Sequence, residues 1–265
     1  MTASKIAAVV GTSPYESRFS LWHRMNGSIE PPQQTAVMSY GHYLEPVLLR
    51  WFADQHPEFE VQPGHWVTHG DHFAATPDGI VPGFRTGGIV EAKTSRLSWE
   101  WDNGVPAGYY DQVQWSMFVC GEDRAWVVAD VAMEFREYPV ARDQERIEYL
   151  VAEADAFMES LRSNVPPPLD GSMHTYQAVR ELHPDIEAED VEIPEGLAAD
   201  WLAVRESAAF YADDEQRLKS EIADLMGNAR RATWNGHTLF TRQARGGGTP
   251  YLVAGRNLPT TGVAA

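Results

Sequence analysis

Asp78 follows Pro77, and after twelve intervening residues Glu91, Ala92 and Lys93 stand in a row. On an extended strand, side chains two apart share a face, so Glu91 and Lys93 project together while Ala92 packs into the sheet. Pro77-Asp78-Gly79 reads as a turn at the mouth of that face. Two carboxylates, the Ala92 backbone carbonyl and waters make the all-oxygen shell that Mg²⁺ or Mn²⁺ prefers. Such an ion polarises a phosphoryl oxygen and lowers the pKa of a bound water. A lysine beside it orients that water or stabilises the charge that builds on the phosphorane. Glu-x-Lys alone carries no weight, because charged residues alternate along many exposed strands. Pro-Asp-Gly at hairpin distance strengthens it, and two further elements decide the matter.

The first is Gly41-His42-Tyr43-Leu44-Glu45-Pro46. Glu45 falls at the edge of a helix's apolar stripe, from where it can reach a second ion. The second is Tyr109-Tyr110-Asp111-Gln112-Val113-Gln114-Trp115, where a polar Gln112 is embedded in an otherwise apolar, aromatic helix. Read blandly, these are a helix-surface glutamate and a core-edge amide bonded to the backbone.

The elements that must position these groups follow from hydrophobic period and turn residues. Residues 4–10 predict a short helix capped by Ser4 and ended by Gly11, and 20–25 a second short helical piece. Residues 40–55 predict an amphipathic helix, with Leu44, Val47, Leu48, Trp51 and Phe52 on one face. The pattern then turns to period two, with strands near 58–61, 66–69, 72–75 and 88–94, punctuated by Asp78-Gly79 and Pro82-Gly83. A helix over 109–119, a buried strand over 125–131 and a long charged helix over 142–162 complete an α–β–β–β–α–β order. That order predicts an α/β fold, a mixed central sheet flanked by helices. The break at 165–168 sets a boundary between a domain over 1–163 and an accessory extension over 164–265. The extension holds a helical arm at 197–226 and a hairpin with strands at 232–234 and 237–241 around Asn235-Gly236. A flexible tip at Gly246-Gly247-Gly248 and frayed last residues follow.

G-x-x-x-E, P-D-G, E-x-K and Y-Y-x-Q-V-Q, in this order and spacing, resemble the lambda-type phage exonucleases of the YqaJ-like viral recombinase family, within the PD-(D/E)xK nucleases. Thr2-Ala3-Ser4 and Gly11-Thr12-Ser13-Pro14-Tyr15 resemble that family too, and the match runs over roughly 2–162. The resemblance implies a restriction-endonuclease-like core and Mg²⁺-dependent (or Mn²⁺-dependent) 5′→3′ digestion of one strand of linear duplex DNA, with two ions. It implies a ring-shaped homotrimer, and 3′ tails handed to a single-strand annealing protein in phage or prophage recombination. By motif, Asp78, Glu91 and the Ala92 carbonyl are metal ligands and Lys93 is the catalytic lysine. Glu45 and Gln112 contact the second ion or the attacking water, and Ser4 and Thr76 match positions that hold the 5′-phosphate. The family commonly carries an arginine just upstream of Thr-Ala-Ser, where this chain has Met1; Arg18 is the candidate for a second phosphate-binding arginine. Thr76 replaces a serine.

Composition bounds these readings. Net charge is −17, but residues 227–265 carry five arginines and no acid, against 12 basic and 23 acidic groups in 1–163 and 4 and 15 in 164–226. Such a surface suits an enzyme with acidic metal ligands and a few placed arginines rather than a tight, salt-resistant binder of bare duplex. A single cysteine, Cys120, excludes a disulfide framework, a thiolate zinc site and a four-cysteine cluster. No apolar run reaches membrane-spanning length and no secretory pattern opens the chain, so the expected place is the bacterial host cytoplasm. His65, His69 and His72 are close in sequence, but strand geometry scatters them over both faces. Trp99 and Trp101 pack in the core or stack on unwound bases. Arg230, Arg231, Arg242 and Arg245 reach phosphates or an acidic partner, or serve solubility. Two rival functions are a DNA-processing endonuclease of the same fold and an inactive module that binds DNA ends or a partner.

Overall fold

A computed structural model describes residues 1–83, 87–255 and 258–259. The frayed end expected at the last residues and Arg256, one of the five C-terminal arginines, lie outside the described residues. The chain divides into two compact units, Met1–Ile186 and Glu187–Ala265. In chain order the first holds α1 (Ala3–Val9), α2 (Arg18–Met25), α3 (Ala36–Gln55), β1 (Gln62–Pro63), β2 (Val67–His69), β3 (Phe73–Ala75), β4 (Gly79–Val81) and β5 (Gly88–Ser95). A 3-10 turn at Ser98–Trp101, then α4 (Ala107–Cys120), β6 (Arg124–Val131), β7 (Glu134–Ala141), α5 (Gln144–Arg162) and α6 (Met173–Leu182) complete it. The second holds α7 (Glu195–Met226), β8 (Arg231–Trp234), β9 (His237–Gln243) and β10 (Tyr251–Ala254).

The central sheet runs β1-β4-β5-β6-β7. Only β5 and β6 are parallel, with Glu91 opposite Val127 and Lys93 opposite Ala129. A parallel pair cannot be joined by a hairpin and needs a crossover, which the 3-10 turn and α4 supply. The strands bury both faces. Val90 and Val128 pack with Leu48 and Phe52 of α3, while Ile89, Val127 and Ala129 pack with Val113 and Met117 of α4. β6 is buried at every residue from Ala125 to Val131, so apart from Asp130 it reads as an apolar run rather than an alternating one. Ile6, Val9, Leu21, Trp22, Trp115, Leu150 and Phe157 form a third cluster that ties α1, α2, α4 and α5 together.

Several expectations are corrected. Ser4 does not cap α1: Thr2 holds the N-cap position in extended conformation with no side-chain cap bond. Thr2 is bridged to Ala74 alongside β3, so the chain stays strand-like until Ala3 turns into the helix. Residues 58–61 are not a strand; the edge pairing falls instead on Gln62 and Pro63, opposite Ile80 and Gly79. Gly79 is the first residue of β4 rather than part of a turn, paired with Val90. A Cβ there would meet Leu49 Cδ2 at 3.0 Å and Val90 Cβ at 3.3 Å, so the close packing of α3 on β4 requires glycine. On α3, Val47 is exposed, and the sheet-facing side runs through Gly41, Leu44, Glu45, Leu48 and Phe52.

The break at 165–168 does not end the first unit, which continues to Ile186. Its last helix, α6, buries Ala178 against Phe19 and Ile29, and Thr175 Oγ1 donates to Ser17 Oγ at 2.7 Å. In the second unit β8 and β9 form the expected hairpin, Asn235 and Gly236 both taking positive φ as a two-residue turn of this kind requires. β10 adds a third strand beside β9 that the sequence pattern does not announce.

Candidate active site

Glu91 and Lys93 leave β5 on the α4 side of the sheet. Lys93 Nζ donates to Glu91 Oε1 at 2.5 Å, and the Gln112 side-chain amide of α4 donates to the same oxygen. Glu91 is 2% exposed, and its second oxygen, Oε2, is buried with no hydrogen-bond partner. The Lys93 ammonium also lies 5.3 Å above the Tyr109 ring, which forms one wall of the site.

Asp78 sits where the chain enters β4. Its Oδ2 accepts the Ala92 backbone N–H at 2.7 Å. The pairing of β4 with β5 ends at Gly79 and Val90, so beyond it the β5 edge is open and Asp78 takes the donor that a longer β4 would have used. A residue's N–H and C=O face the same edge of a strand, which turns the Ala92 carbonyl toward that opening beside Asp78.

The electrostatics follow from burying three acids around one lysine. Burial pushes the Glu91 carboxyl up to about 7, against the pull of Lys93, and the neighbouring Asp78 and Glu45 add to the rise. Burial also raises Asp78, with Lys93 and the Ala92 N–H opposing it. Glu45 is raised by burial and then by Asp78. Burial works to lower Lys93, but Glu91, Asp78 and Glu45 outweigh it and hold the ammonium above its ordinary pKa. The site is therefore short of positive charge.

A divalent cation fits that deficit and the donor chemistry. The orphaned Glu91 Oε2, the Asp78 carboxylate and the Ala92 carbonyl are hard oxygen donors, the set suited to Mg²⁺ or Mn²⁺. The set is two carboxylates and a carbonyl, since among the described residues no three His, Cys, Asp or Glu side chains converge as a cage. Glu45 stays at the periphery, with His42 Nδ1 at 3.9 Å from its carboxylate.

The remaining candidates separate. The parallel bridge between Thr2 and Ala74 sends Ser4 and Thr76 onward from adjacent positions, and both are exposed. Arg18 is held elsewhere: it is paired with Glu153 of α5 and donates to the Val9 carbonyl at 3.2 Å, at the end of α1 away from Ser4. Trp101 is core, its ring tilted against those of Tyr109 and Tyr138, whereas Trp99 is half-exposed. His69 packs on Phe118 and His72 faces Asp155, so the histidines are dispersed.

A buried clamp behind the site carries no sequence signature. Arg146 of α5 binds Asp111 bidentately, Nε to Oδ1 at 2.7 Å and its NH2 to Oδ2 at 2.9 Å, and Thr12 donates to Oδ2 at 2.6 Å. Gln114 donates to the Ala141 carbonyl and accepts the Asp143 N–H, both at 2.8 Å. These bonds fix the turn of α4 next to Gln112, and they join residues 99 and 35 positions apart. The acid buried in an aromatic helix is the only hint of them.

The fold is a mixed sheet with flanking helices, and Asp78, Glu91 and Lys93 lie at an open strand edge within it. Residues 1–123 match the family model of the YqaJ-like viral recombinase domain. Among solved structures, the fold is similar to an alkaline exonuclease (LHK-Exo) from Laribacter hongkongensis. That match has 23% identity and a TM-score of 0.52 over 62% of this chain and 89% of that one. It is also similar to a phage related exonuclease from Haemophilus somnus 129PT, with 13% identity and a TM-score of 0.50 over 62% and 95% of the two chains. Comparison with curated protein sequences finds no match. Among the described residues no helix is long and apolar enough to cross a membrane.

Proposed function

We propose that this protein is a Mg²⁺-dependent exonuclease that degrades one strand of linear duplex DNA from the 5′ end. The 3′ single-stranded tails it leaves would serve an annealing protein during phage or prophage recombination in the bacterial cytoplasm. The observation that carries the reading is the buried Glu91, one oxygen saturated by Lys93 and Gln112 and the other left without a partner beside Asp78. The match to the YqaJ-like domain and the fold shared with exonucleases support the same reading.

Asp78, Glu91 and the Ala92 carbonyl would hold the ion, which supplies Lewis-acid polarisation of the scissile phosphate and an acidified water. Lys93 stays protonated, since the acids around it raise its pKa, so it acts as a fixed cation toward developing phosphorane charge. Gln112 holds the Glu91 carboxylate in one rotamer and so keeps its free oxygen aimed. Glu45, at the periphery, would reach a second ion or its water. Ser4 and Thr76 would contact the terminal 5′-phosphate, and assembly as a ring trimer would keep DNA threaded. Arg18 contributes to that phosphate only if DNA displaces Glu153.

The test is digestion of 5′-phosphorylated linear duplex, 5′-hydroxyl duplex and closed circular DNA, each with Mg²⁺, Ca²⁺ or chelator. The expected result is degradation of the phosphorylated linear duplex with Mg²⁺ alone. Nicking of the closed circle would favour the endonuclease rival. Binding without cleavage under every condition would leave the inactive end-binding module.

A further inference from the structure

The second unit contains a feature that the nuclease chemistry does not use. Along α7, Leu197, Val204, Tyr211, Leu218 and Leu225 recur every seven residues. Trp201, Ala208, Glu215 and Ile222 interleave at the alternating spacings of four and three. This is an a/d heptad seam over four heptads, interrupted by a charge only at Glu215, with the leucine-rich set at d. Most of the seam is exposed: Leu197, Trp201, Val204 and Tyr211 are each 60–70% exposed and Leu225 is 89% exposed, whereas Ile222 is half-buried. A helix of 32 residues whose only buried side chain is Met226 has not found its partner surface within its own unit.

We propose that α7 pairs with α7 of a second copy of this chain as a parallel, in-register coiled coil. The flanking charges choose both partner and direction. The g positions are Asp200, Ser207, Asp214 and Glu221, with no base among them. The e positions are Ala198, Arg205, Ala212 and Lys219, with no acid among them. In a parallel pair each g faces the e five residues on in the partner, which sets Asp200 against Arg205 and Asp214 against Lys219 across the seam. In an antiparallel pair g faces g and e faces e, so acid would meet acid and base would meet base.

The self-complementary pattern requires no foreign sequence, which is why a second copy is the occupant. Glu215 lies at an a position, where an in-register pair sets it against Glu215 of the second copy, a local cost that the flanking g–e ion pairs oppose. Within one helix, Arg217 now pairs with Asp214 and Glu221 at i−3 and i+4, and lies at c, outside the seam, so it need not be displaced from Glu221. A parallel bundle lies on a cyclic axis and is compatible with two or three copies alike.

The test uses the full-length chain with one introduced cysteine, read by oxidation and non-reducing electrophoresis, with circular dichroism confirming unchanged helix content. Leu218→Cys at d is expected to form an intermolecular disulfide, whereas Ser220→Cys at f, pointing away, is not. Adding Arg205→Glu with Lys219→Glu is expected to abolish the Leu218→Cys crosslink. Mixing that protein with a Leu218→Cys chain carrying Asp200→Lys and Asp214→Lys is expected to restore it between the two kinds. Equal crosslinking at 218 and 220 overturns the proposal, as does a crosslink insensitive to charge reversal. A mixed Leu197→Cys and Ile222→Cys pair that crosslinks shows an antiparallel seam and overturns it too. A Leu218→Cys protein that stays reduced shows that α7 is covered by something other than itself. Neither outcome touches the nuclease reading, whose assay is separate.

Discussion

The Lys93 ammonium lies 2.5 Å from Glu91 Oε1, leaving Glu91 Oε2 buried and unpartnered on the same carboxylate. One oxygen is therefore fixed by protein and the other is free for the proposed ion. The folded protein raises the Glu91 pKa from 4.5 to about 7, chiefly through burial. An acid raised on folding favours its neutral form there, so its stabilisation is present below pH 4.5 and is lost as pH rises toward about 7. The metal-free protein should thus lose more thermal stability between pH 4.5 and 7 than Glu91→Gln does. Mg²⁺ must displace the proton, so its affinity should strengthen across that window and level off above about 7. Titration calorimetry at several pH values, with melting curves of both proteins, checks this; a pH-independent Mg²⁺ affinity contradicts it.

Asp78→Ala and Glu91→Ala are expected to abolish cleavage while the protein stays folded, because either change removes one of two carboxylate ligands. Asp78→Asn is the informative companion. Its side-chain oxygen can still accept the Ala92 N–H that Asp78 takes at 2.7 Å, so it preserves the strand edge while removing the charge. Full Mg²⁺-dependent activity in any of the three would remove these residues from the centre.

Lys93→Ala should lower the turnover rate by roughly 10² or more, the scale for losing one fixed electrostatic stabiliser, with Mg²⁺ binding retained. Lys93 is held by Glu91, Asp78 and Glu45, so its removal also leaves those acids without their cation. The variant should accordingly bind Mg²⁺ at least as tightly as the parent. Weaker Mg²⁺ binding with an unchanged rate would assign Lys93 a structural role only.

The centre itself was legible in the sequence because strand period places Glu91 and Lys93 on one face without any knowledge of the fold. Gln112 was legible as a polar residue out of place in an apolar helix. Ser4 as a cap was misread because a tertiary bridge from Thr2 to Ala74 overrides the local preference for starting a helix there. Glycine after Asp signals a turn at Gly79, whereas its reason is the approach of Leu49 from α3. β7 escaped notice because it is an edge strand reading Glu-Phe-Arg-Glu-Tyr-Pro-Val-Ala, and its Pro139 is tolerated only at an edge. Long-range polar partners such as Thr12, Asp111 and Arg146 share no local pattern.

That clamp is expected to matter for stability more than for chemistry. Asp111→Ala removes two bonds from Arg146 and one from Thr12, both of which are partly exposed, whereas Asp111 is buried. The expected loss is about 2–3 kcal/mol in unfolding free energy, the range for deleting charge-assisted hydrogen bonds at a buried site. Thr12→Val, which removes one bond and keeps the shape, should cost about 1 kcal/mol. Urea unfolding checks both. Near-parental turnover at low temperature should accompany the loss, because neither residue touches the Glu91 centre.

The first compact unit ends at Ile186 rather than at 163. Every residue at the centre precedes 113, but the compact unit runs to Ile186 because α6 covers Phe19 and Ile29, which are 7% and 6% exposed. α6 also contributes the Thr175 bond to Ser17 and a contact from Glu181 to Arg24. A chain cut after residue 186 is therefore expected to fold and to digest short duplexes with Mg²⁺. A chain cut after residue 163 exposes two large apolar side chains, a loss on the order of 3 kcal/mol by the usual burial of such groups. It should melt markedly lower and aggregate more readily. The arginines at 230, 231, 242 and 245 are absent from both, so weaker DNA affinity should accompany both truncations. If the chain ending at 186 folds and binds Mg²⁺ normally but cuts nothing, a catalytic group lies beyond Ile186 and the assignment of the accessory unit fails. If the chain ending at 163 melts like the one ending at 186, α6 is an ornament on the unit rather than part of its core.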